Sequence, residues 1–128
     1  MSAPVQYVSP EDALAIHELS IRRYGGIEGT RDEGLLESAL VQPQQTFDGV
    51  ELYPSLAEKA ARYAFGIVNN HPFADGNKRT GAAVLAAFLR ANGMQFKPRL
   101  LDMQDKVIAL ADGSLSYDEL VAWIGSQL

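Results

Sequence analysis

The chain has 128 residues, 47% of them hydrophobic and 21% charged. This composition excludes disordered, collagen-like and coiled-coil chains and suits one domain burying roughly two thirds of the surface its unfolded chain would expose. A formal net charge of −5 argues against a surface built to track a nucleic-acid backbone or an anionic membrane, and the lack of cysteine excludes a disulfide framework, a thiolate metal site and a thiol nucleophile.

The opening MSAPVQYVSPEDALAIHELS has neither a basic n-region nor a continuous apolar h-region, so it does not read as a signal peptide. The longest uncharged apolar run, Gly81–Leu89, is far short of the ~20 residues of a membrane-spanning helix. No repeat or linker divides the sequence. The expectation is one soluble cytoplasmic domain, residues 1–128, without membrane or direct nucleic-acid contact.

Ser9, Pro10, Glu11 and Asp12 supply an N-cap, an N1 proline and first-turn acids, predicting a helix to about Tyr24, where Gly25 and Gly26 stop it. Residues 32–42 predict a second helix, ended before Pro43. Gln44–Pro54, with Asp48 and Gly49 between β-prone pieces, predicts a loop or small hairpin and is the best candidate for a flap. Apolar residues at 56, 60, 63, 64, 67 and 68 follow the 3.6 period and predict a helix to about Asn69. The polar loop HPFADGN leads into a helix from about Lys78 to Asn92, stopped by Gly93. Residues 102–112 and 117–127 complete the set, the last opened by a Ser116–Glu119 capping box. The fold class is all-α, a compact bundle of about six helices.

The helix at 78–92 has no polar face through its centre, so it is expected to run buried through the domain. Lys78 and Arg79 sit in its first turn, where cations oppose the helix dipole at a cost of a few tenths to ~1 kcal/mol each. Free N–H groups, the dipole and two cations converge there, which makes a phosphate site the economical explanation. His71, Asp75 and Asn77 directly precede it. An imidazole can take a proton from a hydroxyl, and a carboxylate before the helix can hold Mg²⁺ against phosphate oxygens. Phe73, alternating with His71, is expected to plug into the core and leave the imidazole facing outward.

The segment HPFADGNKR resembles the Fic (Fido) superfamily signature HxFx(D/E)GNxRxxR, with His71, Phe73, Asp75, Gly76, Asn77 and Arg79 in register. Lys78 stands where AMP-transferring members usually have glycine, and Ala82 where they have a second arginine. Both departures match the death-on-curing (Doc) branch, and SPEDALAIHELSIRRYGGIEG, TFDGVELYP and AAFLRANG are also similar to that branch in order and spacing. The resemblance implies a toxin of a toxin–antitoxin system that uses ATP and Mg²⁺ to phosphorylate a threonine or serine of a translation factor, elongation factor Tu, and is held in check by an antitoxin. It further implies His71 as general base, Asp75 as metal ligand, Gly76 and Asn77 as phosphate binders, and Lys78 and Arg79 as both phosphate binders and stabilisers of the transferring group. No self-inhibiting (S/T)xxxE(G/N) motif is present, so inhibition is expected in trans. The alternatives are a Fic-type AMP transferase and a non-catalytic antitoxin-binding module; a two-metal nuclease is excluded by the donor set.

Outside the motif, bland readings prevail. Asp75 also suits a helix cap. His17, among Ala13, Leu14, Ile16, Ile21 and Tyr24 on the wheel, reads as a hydrogen-bonded structural histidine, with a site-lining role as the minor alternative. Gly25, Gly26 and Gly29 read as structural, and Trp123 as core or antitoxin-facing surface.

Overall fold

A computed structural model describes residues 4–128 and contains six α-helices and one two-stranded hairpin. Helix α1 (Pro10–Tyr24) opens on a Ser9–Asp12 capping box and closes at Gly25, as the cap residues dictate. Helix α2 (Glu33–Val41) is capped by Asp32, whose carboxylate accepts the Leu35 N–H at 3.0 Å. A 3₁₀ turn, Gln42–Gln44, continues through Pro43, because a proline early in a new turn has no N–H to lose. Strands β1 (Thr46–Phe47) and β2 (Val50–Glu51) pair antiparallel around Asp48 and Gly49, both at positive φ, as a two-residue hairpin turn requires.

Helix α3 (Leu56–Asn70) and helix α4 (Asn77–Ala91) form the central pair. They approach closely because Gly81 faces Val68; a Cβ at Gly81 would lie 2.8 Å from the valine methyl. Gly66 of α3 makes the same concession to α2, where a Cβ would come within 2.9 Å of the Ala39 Cβ and 3.1 Å of its Cα. Phe88, Leu85, Ile67, Tyr63 and Leu120 fill the core, none of them exposed. The Tyr63 hydroxyl accepts the Val8 N–H at 3.0 Å, and burial pushes its pKa up to about 12. Helix α5 (Leu100–Asp112) and helix α6 (Tyr117–Ser126) close the other side, the latter through the expected Ser116–Glu119 box.

Helix α4 departs from the expectation of complete burial. Thr80, Gly81, Val84, Leu85, Phe88 and Leu89 are buried, while Ala82, Ala83, Ala86 and Ala87 are only half covered. A stripe of alanines contributes little area per residue, so it can sit at the rim of a core. Helix α5 begins at Leu100 rather than 102, its first turn tied by an Arg99–Asp102 ion pair at 3.1 Å. Trp123 is half-buried and meets Phe96 edge-on.

The hairpin is rooted at the start of α3. Lys59, only 1% exposed, donates from Nζ to Glu51 at 3.0 Å and also to the Tyr53 carbonyl. Lys59 lies roughly 18 Å of helix away from His71, at about 1.5 Å per residue. Phe47 at the tip is 76% exposed. Among the described residues, no helix is long and apolar enough to cross a membrane.

Valine at position 66 would force α2 and α3 apart at backbone level. Gly66→Val is expected to cost about 1–3 kcal/mol, read as a lower denaturation midpoint with an unchanged denaturant slope.

Candidate active site

Helix α3 ends where the motif begins. His71 is its C-cap residue and adopts the left-handed conformation, φ 51°, a position commonly filled by glycine and costing another residue on the order of 1 kcal/mol. The reversal sends Pro72 and Phe73 inward, and Phe73 is 1% exposed whereas His71 is exposed. Arg31 steadies the corner by donating to the carbonyls of His71 at 2.8 Å and Asn70 at 2.9 Å, satisfying the last carbonyls of α3. The segment around Thr30 pairs with Phe73 as an antiparallel bridge, and Ala74 N–H reaches the Gly29 carbonyl at 3.0 Å.

Two side chains then close the loop. Asn77 accepts the Phe73 N–H at 3.0 Å and donates to the Phe73 carbonyl at 3.1 Å. His17, buried in α1, stacks on the Phe73 ring with centroids 3.9 Å apart and planes 5° from parallel. Its Nε2 lies 2.8 Å from the Asp75 carbonyl; a carbonyl only accepts, so Nε2 carries the proton.

Asp75 ties the loop to the exit of α1. Its Oδ1 accepts from Gly76 N–H at 2.8 Å and its Oδ2 from Ile27 N–H at 3.1 Å. These bonds, Ile27 first, hold its pKa below the ordinary carboxylate value, helped by the charge of Arg79. Arg79 donates to the Gly25 carbonyl at 2.8 Å and lies over the Tyr24 ring. Gly26 makes this possible. It sits at φ 123°, and a Cβ there would be 2.7 Å from Asp75 Oδ2.

The opening of α4 keeps its anion-binding character. Gly76 is the N-cap residue and no side chain caps the first turn, so the N-terminal N–H groups retain their pull on negative charge. Lys78 is exposed, with no hydrogen-bond or ion-pair partner among the described residues. Each Asp75 oxygen takes one backbone bond and keeps a further lone pair. No group of three or more His, Asp or Glu among the described residues could cage a metal. The donor set therefore fits Mg²⁺ held mainly by phosphate oxygens and water with one carboxylate, the habit of that ion, and does not fit an all-protein metal cage.

A model of the Fic/DOC family matches residues 7–89, more than half of the chain and all of the loop just described. The chain belongs to the Fic/DOC family, in its Doc branch. It is similar to the protein "Toxin Doc" of Mycolicibacterium smegmatis, 41% identical over 90 residues that cover 70% of this chain and 67% of the relative. It is also similar to "Protein kinase doc" of Escherichia phage P1, 35% identical over 114 residues, 88% of this chain and 87% of the relative. The all-α bundle with its small hairpin is consistent with this Fic/DOC membership.

His71, Phe73, Asp75, Gly76, Asn77, Lys78 and Arg79 thus lie in one corner and divide by their contacts. His71 and Lys78 face solvent, Phe73 and Asn77 hold the loop, and Asp75 and Arg79 bind it to the end of α1. Sequence reasoning missed Arg31, the Ile27 N–H and the need for Gly26. A second glycine after a helix that one glycine suffices to stop was the available signal for the last of these.

Depression of the Asp75 pKa links the loop to pH. Its contribution to stability is complete above the ordinary value of 3.8 and is lost as pH falls below it towards the depressed native value. Gly26→Ala is expected to displace the carboxylate and return its pKa towards 3.8, read by carboxyl NMR titration. An unchanged titration would show that Gly26 does not make room for Asp75.

Proposed function

We propose that this chain is the toxin of a toxin–antitoxin system, transferring the terminal phosphate of ATP to a threonine or serine hydroxyl of a translation factor, with elongation factor Tu as the expected target. The carrying observation is the pairing of an exposed His71, held at positive φ, with an α4 N-terminus that lacks a side-chain cap and bears a free Lys78. Packing has no use for either. The names of the two relatives, a toxin and a protein kinase, support the same reading.

In this reading the α4 N–H groups and the Lys78 ammonium hold the phosphate chain of ATP. Asp75 would be the one protein ligand of a Mg²⁺ ion, which would supply charge neutralisation on the phosphate oxygens when bound. His71 takes the hydroxyl proton onto an imidazole nitrogen as the hydroxyl oxygen bonds to the γ-phosphorus. The bond from γ-phosphorus to the β-bridging oxygen breaks, and ADP leaves. Asn77 and His17 keep the loop from shifting, which matters because small displacements in a reacting site cost large factors in rate. Arg79 keeps guanidinium donors beyond the one on Gly25 and can add to the charge facing the transferred group.

Ala82 favours the γ- over the α-phosphorus. It is a half-covered methyl about one turn beyond Lys78 and carries neither charge nor donor, so it offers nothing to hold the nucleotide in the pose for AMP transfer. An antitoxin acting in trans, in the cytoplasm that houses translation, completes the proposal.

Expression of the chain alone is expected to arrest bacterial growth, and His71→Ala to abolish arrest without lowering thermal stability, since the side chain is exposed. Incubation with a translation extract should move label to protein from γ-labelled ATP and not from α-labelled ATP. Label transfer from the α position would establish AMP transfer instead. Full toxicity of a folded His71→Ala would remove the general-base role.

A further inference from the structure

A cleft of about 330 Å³ lies on the α1 side of the motif loop, apart from Lys78 and the start of α4. Leu14 and Ile21 give it apolar walls, Glu18 and Glu28 give it carboxylates, and Thr30 and His17 border the motif loop. His17 is only 4% exposed, and one of its nitrogens is spent on the Asp75 carbonyl. Nδ1 has no partner among the described residues and is not among the fully enclosed unpartnered atoms, Ser20 Oγ, Arg62 Nε and Thr80 Oγ1. His17 lines the cleft, and a neutral ring protonated at Nε2 leaves Nδ1 as a hydrogen-bond acceptor.

We propose that this cleft receives a lysine or arginine side chain of a polypeptide partner. The groups match such a side chain along its length. Leu14 and Ile21 suit an aliphatic stem, which basic residues readily bury. Nδ1 accepts an N–H from the head, and Glu28 and Glu18 supply opposite charge. Glu18 already pairs with Arg22, but that pair is exposed on both sides and yields readily. An ionised acidic side chain would meet two carboxylates and a lone pair with no donor, and a neutral one would leave the carboxylates without opposite charge. The net charge of −5 favours encounter with a basic segment. An occupant here would touch the same ring that holds the Asp75 carbonyl and packs on Phe73, so the partner would bear directly on the motif loop. The binding itself is independent of phosphotransfer and is tested without nucleotide.

The test uses the full chain with ¹⁵N-labelled histidine. Only two histidines occur, and His71→Ala assigns the remaining signals to His17. Agmatine, sodium butyrate and an acetylated, amidated Ala-Ala-Arg-Ala-Ala peptide are titrated in turn. Agmatine and the peptide are expected to shift His17 Nδ1 saturably in the millimolar range, as small single-anchor ligands do, with butyrate inert and His71 unmoved. Glu28→Gln, on an exposed segment, should weaken both by threefold or more. Binding of agmatine with exclusion of the peptide would overturn the polypeptide partner in favour of a small free amine. Absence of a saturable shift, equal shifts with butyrate, or an unchanged affinity in Glu28→Gln would overturn the site.

Discussion

Burial of the Phe73 ring is the constraint on which the rest of the corner depends. A six-residue connection between two antiparallel helices has few ways to satisfy its own backbone, and a loop with an aromatic driven into the core has fewer still. Here Asn77 bonds both polar groups of Phe73, Thr30 bridges it from across the loop, and His17 covers its face. The backbone of Phe73 is thus held by Asn77 and Thr30 and its ring by His17. Everything facing solvent in the corner inherits that rigidity. His71 is placed by backbone geometry two residues from the anchor, and the first N–H groups of α4 are placed by the Asn77 side chain that closes the loop behind them.

The helix pair can present its ends together only because its small residues let it close up. Gly81 against Val68 and Gly66 against Ala39 bring three helices into near-backbone contact, so the end of α3 and the start of α4 lie beside the turn that follows α1. Larger residues at either position would spread the helices and carry the loop away from Gly25, Gly26 and Ile27. The Ile27 N–H that Asp75 accepts and the Gly25 carbonyl to which Arg79 donates would then lack partners. Packing in the middle of the bundle and order at its end are one problem solved by the same glycines.

The sequence made the helices legible because their signals are local. Ser9 is the expected N-cap of α1 and Ser116 forms the expected box with Glu119, and the 3.6 period of α3 carries through to Asn70. Pro43 does end α2 as expected, and the chain passes through it only as a separate 3₁₀ turn. The alternation of His71 and Phe73 correctly separated an outward from an inward side chain. What stayed hidden was contact between distant segments. Arg31 reads as a surface charge and Ile27 as an exposed apolar residue, and nothing local says that a guanidinium crosses to the carbonyls of residues 70 and 71 or that a backbone N–H meets a carboxylate at 75. His17 showed half of its nature. The wheel indicated burial and a hydrogen bond, but not that the acceptor would be the carbonyl of Asp75.

That distribution of contacts also separates the parts of the corner energetically. The groups that hold it together, Phe73, Asn77, His17 and Asp75, are bonded inwardly, whereas the side chains of His71 and Lys78 are on exposed residues and make no internal hydrogen bond among the described residues. The strain at His71 is a backbone quantity, offset by the Arg31 bonds on either side of it, and does not depend on the imidazole. The cations in the first turn of α4 follow the same logic. Arg79 relieves its conflict with the helix dipole by reaching the Gly25 carbonyl, while Lys78 leaves its own unrelieved. A corner built for stability alone would have paired Lys78 or replaced it with an acid. Its persistence as an unpaired ammonium beside open N–H groups, in a chain of net negative charge, concentrates positive potential at one point of the surface, where an incoming anion would supply the missing partner.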